Sequence, residues 1–182
     1  MGQTIMRAVA AASTEKSTLV RLLPVNVFGA GGETTTTYDI AAGVYKAVNG
    51  GAMIVNMSLG GDGNSSFLHQ TIKSAHDQGV VFLGAAGNQP VTTPVYPGAY
   101  EETIAVAAAN RDGTLTSYTG RGEWVDLIAP GTGMFTFDGE QFMETGTSHS
   151  TAVATGVTAA TAERTGEFGL KLEAQIRGRR LQ

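Results

Sequence analysis

The sequence predicts an α/β fold, a mostly parallel sheet with helices on both faces, and three observations carry that expectation. Short continuous apolar runs such as Met53 to Ser58 and Val80 to Ala86 lack the in/out alternation of a half-wet strand. Such runs suit strands buried on both sides. Between them lie stretches with apolar residues at helical intervals, so β and α patterns alternate along the chain. The chain also holds 25 glycines in 182 residues, about twice the usual share, which favours many tight turns over a helical bundle.

Each element follows from its local pattern. Thr18 to Phe28 is an apolar run closed by Gly29-Ala30-Gly31-Gly32 and predicts a strand. Thr37 to Asn49 spaces Ile40, Val44, Ala47 and Val48 at helical intervals. Met53 to Ser58 predicts a short strand that stops at the glycine-rich stretch beginning at Leu59. Ser65 to Gln78 predicts an amphipathic helix with Phe67, Leu68, Ile72 and Ala75 on its apolar face and Gly79 at its end. Val80 to Ala86, Thr103 to Ala109 and the segment from Trp124 give further strands. A hairpin from Met134 to Thr145 turns at Asp138-Gly139. A helix rich in Ala, Val and Thr follows Ser148. No repeat, low-complexity segment or linker interrupts this order, so residues 1–182 are expected to form a single domain.

Composition narrows the function classes. Hydrophobic residues make up 42% and charged residues 15%, enough for one sizeable core. A net charge of −4 argues against a nucleic-acid partner, with Arg177, Arg179 and Arg180 expected to form a small solvated basic tail. Without cysteine there is neither a disulfide framework nor a thiolate metal site. No apolar run reaches the roughly 18 residues that span a bilayer, so no membrane partner is expected. The start carries no charged and apolar export signal, and the compartment stays undetermined.

The chemistry gathers at strand ends, where open α/β sheets collect functional groups. In Glu144 to Gly156 a small-residue turn, Gly146-Thr147-Ser148, meets a helix. Ser148 there is either an N-cap or a nucleophile, because free N–H groups and the positive helix end stabilise charge near its hydroxyl. Asn88, beyond the strand ending at Ala86, is either a left-handed turn residue after Gly87 or an amide donor opposite that serine. The stretch Asn56 to Gly61 offers a backbone edge that could pair with an extended peptide. Gly60 to Ser66 approximates a phosphate loop, but Ser66 stands where the fingerprint needs glycine and no Walker lysine follows.

These motifs, in their order, resemble the subtilisin-like serine proteases, the subtilases. The resemblance rests on Val55 to Gly61, Ala85 to Asn88, Tyr96 to Tyr100, Ala129 to Gly131 and Gly146 to Ser148, and it covers nearly the whole chain. It implies a three-layer subtilisin-like sheet, a serine endopeptidase activity, and a polypeptide substrate. Ser148 would be the nucleophile and Asn88 the oxyanion-hole amide. Ser58, Leu59 and Gly60 would line the substrate cleft, with Ala85, Ala86 and Gly87 walling the pocket for the residue before the scissile bond. A cis peptide is expected at Tyr96-Pro97.

The resemblance also exposes gaps. A subtilase serine needs a histidine to take its proton and an aspartate to orient that histidine. The family's histidine motif aligns with Met1 to Met6, placing Met1 at the histidine position and the aspartate strand upstream. His69 and His76 are expected on the surface. His149, next to Ser148 on the helix, points about 100° away. Asp39, Asp126 and Asp138 do not match the aspartate motif, and Ala152 and Val153 replace the family's usual proline and histidine. The chain alone is therefore expected to be inactive or nearly so. Its partners would be an upstream Asp- and His-bearing segment or a second copy. The alternative is a pseudoprotease or peptide-binding scaffold using the Ser58 to Gly61 edge. No cofactor is expected, and no calcium at Ala12 to Ser17, which lacks clustered oxygen ligands.

Overall fold

The computed structural model describes residues 1–13, 17–29, 32 and 34–177. Eleven elements follow in order: α1 (Gly2–Ala12), α2 (Thr37–Asn49), β1 (Ile54–Met57), α3 (Ser66–His76), β2 (Val81–Ala85), β3 (Thr103–Ala109), β4 (Leu127–Pro130), β5 (Thr132–Phe137), β6 (Glu140–Thr145), α4 (Thr147–Thr165) and α5 (Gly169–Ile176). The strands β1-β2-β3-β4 form one parallel sheet in that spatial order, and β5-β6 an antiparallel hairpin. The expected three-layer arrangement is present.

Alternation along β2 shows how the layers form. Phe82 faces α2 and α3, packing with Ile40, Val44, Leu68 and Ile72. Val81 and Leu83 face the other way, onto Ala154 and Ala162 of α4 and Leu172 and Ile176 of α5. Every residue of β2 and β3 is buried, as continuous apolar runs require. A third cluster joins Ile5 and Val9 of α1 to Ala152, Ala159 and Ala160 of α4. Helix α2 begins where Thr36 Oγ1 accepts from the Asp39 N–H, and α3 where Ser65 accepts from the Leu68 N–H.

Three expectations need correction. Thr18 to Phe28 forms no strand: among the described residues its extended backbone joins no ladder. It is held instead by Glu163, which accepts from Thr18 Oγ1 and the Leu19 N–H, and by Val25 and Val27 resting near Gly43 of α2. Phe67 is 55% exposed and stacks on Tyr38 rather than facing the core. Arg177 is no solvated tail residue: it sits 2.6 Å from Asp126 and 2.7 Å from Glu173. Burial disfavours its charge, but these carboxylates outweigh that and raise its pKa above the ordinary arginine value. Arg179 and Arg180 lie outside the described residues, as do Thr14 to Lys16 of the loop expected to lack calcium. Helix α5, for which the sequence analysis makes no claim, closes the sheet beside α4.

The hairpin turns where expected, with Asp138 at φ 49° and Gly139 at φ 80°. Two successive positive φ values give the I′ geometry that two-residue hairpins prefer. The Tyr96-Pro97 peptide is cis, as expected.

Candidate functional site

Ser148 is the second residue of α4. Its cap is Gly146, whose φ of 149° lies outside the range of ordinary residues. The N-cap reading of Ser148 therefore does not hold. Its Oγ donates to the Ser58 carbonyl at 3.0 Å, and Ser58 Oγ donates back to the Ser148 carbonyl at 2.9 Å. This reciprocal pair ties the end of β1 to the start of α4. Asn56 supports it: its Nδ2 donates to Ser58 Oγ and its Oδ1 accepts from Thr155 Oγ1 of α4.

Asn88 lies across the same turn. Its Oδ1 accepts from the Thr147 N–H at 2.8 Å and from Thr147 Oγ1 at 3.0 Å. A backbone N–H can only donate, so the amide oxygen is fixed and Nδ2 becomes the outward donor. A Cβ added at Gly146 would stand 3.2 Å from that Nδ2, so glycine lets the amide and the serine turn approach closely. The left-handed-turn reading of Asn88 fails, because Asp138 is the only non-glycine residue with positive φ among those described.

The residues expected to line a cleft take distinct places. Ala85 and Ala86 are 3% and 0% exposed, so they contribute wall and backbone, while Gly87 turns away with φ 88°. Ser58 and Leu59 are half-buried, and Gly60 is exposed and opens toward Val95 and Tyr96. Gly61 exchanges both backbone hydrogen bonds with Tyr96, which closes that end of the edge expected to take a peptide. Beside it lies a cavity of about 310 Å³, with Ile40, Leu59, Gly60, Leu68 and Tyr96 among its lining.

Among the described residues no histidine bonds to Ser148. His149 is 5% exposed, contacts Glu144 Oε2 at 3.4 Å and packs its ring against Gly133 of β5. The expectation that His69 and His76 are surface residues holds in part: the His69 side chain is 35% exposed and that of His76 15%. His69 meets Glu102 at 2.8 Å and stacks on Tyr100, and His76 meets Glu173 at 2.7 Å. Both carboxylates are nearly buried, so each draws a neighbouring imidazole on α3 as partner. Sequence reading missed these acids because they lie far along the chain from their histidines. Asp39 bonds Thr36, and Asp126 bonds Arg177 and the Ala105 N–H, so neither is placed as an orienting acid. No cluster of metal-ligating side chains occurs among the described residues.

The family model for subtilases (peptidase S8) matches residues 7–177. The chain belongs to the subtilase family. Thermitase from Thermoactinomyces vulgaris is 34% identical over 158 residues, covering 82% of this chain and 56% of thermitase. The thermophilic serine proteinase of Bacillus sp. strain AK1 is 35% identical over 135 residues, covering 70% of this chain and 33% of its own length. Among solved structures, a cold-adapted subtilisin-like serine proteinase superposes with TM-score 0.75 at 29% identity, over 82% of this chain and 56% of its own. This subtilase chain thus spans between a third and just over half of these relatives' lengths.

Proposed function

We propose that this chain carries the nucleophile half of a serine endopeptidase. Ser148 would attack the peptide carbonyl, and Asn88 Nδ2 with the first N–H groups of α4 would stabilise the resulting oxyanion. The observation that carries this reading is the Asn88 amide, turned by Thr147 so that its donor is the free group beside the serine turn. The cleft would be lined by Ser58, Leu59 and Gly60, with Ala85 to Gly87 behind the bond to be cut.

Attack also requires a base. As Oγ bonds to the carbonyl carbon its proton must leave, and here that proton points at the Ser58 carbonyl, which cannot hold it. In subtilisin itself, removal of the histidine lowers turnover by roughly a millionfold, a measured value for that enzyme. A chain with Ser148 and Asn88 alone would be silent by comparison. A second reading, a peptide-binding scaffold, draws on the apolar cavity beside Leu59 and Gly60. It predicts saturable binding of extended peptides by the chain without hydrolysis.

Intact-mass measurement after fluorophosphonate treatment separates these readings. The folded chain alone should give no adduct. Mixed with the portions of thermitase outside the matched region, it should give a one-to-one adduct that Ser148→Ala abolishes. An adduct on the chain alone would overturn its predicted silence. Persistent absence in a complex shown to form would overturn the protease reading.

A further inference from the structure

The two edges of the β5–β6 hairpin differ in what meets them. Gln3 of α1 exchanges both hydrogen bonds with the backbone of Thr136: its Nε2 donates to the Thr136 carbonyl at 2.6 Å, and its Oε1 accepts from the Thr136 N–H at 3.1 Å. Arg7 donates to the Met134 carbonyl. Side chains of α1 thus cap the β5 edge much as a neighbouring strand would. Successive residues of an antiparallel ladder bond alternately inward and outward. Because Met134 and Thr136 bond outward, Gly133, Phe135 and Phe137 bond inward to Glu144, Phe142 and Glu140. Gln141, Met143 and Thr145 therefore aim their backbone groups out from the β6 edge, where they meet no other backbone among the described residues. Around that edge Met134, Phe137, Phe142 and Met143 are 40–71% exposed. Residues 131–148 include Asp138, Glu140 and Glu144 but neither lysine nor arginine. Glu144 meets His149, whereas Asp138 and Glu140 have no salt-bridge partner among the described residues.

We infer that the β6 edge is a docking track for an extended basic polypeptide segment, the part of a substrate that follows the bond to be cut. Direction, apolar surface and charge select this occupant. Strand β6 runs straight into the Gly146-Thr147-Ser148 turn, so a chain leaving Ser148 along β6 runs antiparallel to it, as β5 already does. A run of about five residues covers the edge. Side chains alternate between faces, so Glu140, Phe142 and Glu144 share one face of the hairpin with Phe135, and Met143 shares the other with Met134. The added strand is therefore asked for basic residues on the first face, where the Glu140 charge is not offset, and apolar residues on the second. A second copy is the poorer occupant. An antiparallel pair of β6 strands centred on Phe142 would set Glu140 of each copy directly opposite Glu144 of the other, like charge against like. Naming a substrate class in this way rests on the protease reading; the open edge and its charge rest on the hairpin alone.

Fluorescence anisotropy on the chain alone tests the track with two labelled peptides of about eight residues, one alternating Val with Lys and the other Val with Glu. The Lys peptide should bind saturably and protect the Gln141 and Met143 amides from hydrogen exchange. The Glu peptide should bind at least about tenfold more weakly, because like charges then face each other. Met143→Pro removes one outward donor without touching the β5–β6 ladder and should weaken the Lys peptide about tenfold. Glu140→Lys should shift the preference toward the Glu peptide. Unchanged exchange of β2 and β3 in both variants shows that the chain is folded. The fluorophosphonate adduct at Ser148 judges the protease reading separately. Protection of Gln141 and Met143 with no adduct in a complex shown to form keeps the track and removes its assignment to a substrate; an adduct with no such protection overturns the track and leaves the protease reading standing. Lys-peptide binding that neither variant changes also overturns the track, as does protection of the same amides in the chain alone with rising concentration, which would assign the edge to a second copy.

Discussion

Two apolar runs, one inside the sheet and one beside it, have different fates. Thr103 to Ala109 and Thr18 to Phe28 are both apolar runs bounded by turns. The first becomes β3, buried at every position between two neighbours. The second stays outside the sheet with its leucines in water. What separates them is pairing rather than composition: β3 has β2 and β4 to receive its backbone groups, and residues 18–28 have neither. An apolar run states a capacity for burial, and a strand forms only where a partner edge is within reach.

Paired substitutions break this comparison most directly. Phe82→Ala in β2 removes a fully buried ring from the cluster under α2 and α3 and should cost about 4 kcal/mol. Leu22→Ala on the open flank, where the side chain is 44% exposed, should cost less than about 0.5 kcal/mol. Urea titration of both variants provides the check. Equal losses would mean that the flank is as tightly packed as the sheet.

Carboxylate anchors give the next contrast. Glu173 holds His76 and Arg177 on the closed side, with its side chain 8% exposed. Glu163 holds the Thr18 hydroxyl and the Leu19 N–H on the open side. Glu173→Gln should cost about 2 kcal/mol, because charge-assisted bonds to two partners are lost in a nearly dry site. Glu163→Gln should cost about 0.5 kcal/mol in the same titration. A reversal of that order would place the main tie of the chain on its open flank.

Legibility in the sequence followed the same division. Elements whose partners are local or within the sheet were readable: α2 spans Thr37–Asn49 and β3 spans Thr103–Ala109, both as the periodicity indicates. The small-residue turn before Ser148 was readable because it needs a glycine at φ 149°. Residues 18–28 misled, since hydrophobicity carries no information about whether a neighbouring strand is present. Phe67 misled because its place beside Leu68 puts it at the rim of the buried stripe, where Tyr38 offers a ring to stack on. Helix α5 carried a usable signal in Leu172 and Ile176, four residues apart and both fully buried. At the site, Ser148 and Asn88 fall together as the motifs imply. The Ser58–Ser148 exchange was invisible, because no periodicity links positions 90 residues apart.

The smallest effect is a pH dependence on the closed side. Burial pushes the Glu102 carboxyl up, but its own backbone N–H, His69 and Lys73 outweigh that and hold it below the ordinary 4.5. A carboxylate whose folded value is depressed releases its proton more readily in the folded chain than in the unfolded one. Its contribution is therefore fully present above about pH 4.5, declines as pH falls below that, and is gone once pH passes beneath the folded value. Glu102→Gln removes the titration while keeping the shape, so the variant should lose stability at pH 7 and show a shallower decline than the parent between pH 5 and 3. Thermal melts across that range decide it. Parallel curves for parent and variant would show that the α3 histidine and lysine do not stabilise the ionised carboxylate.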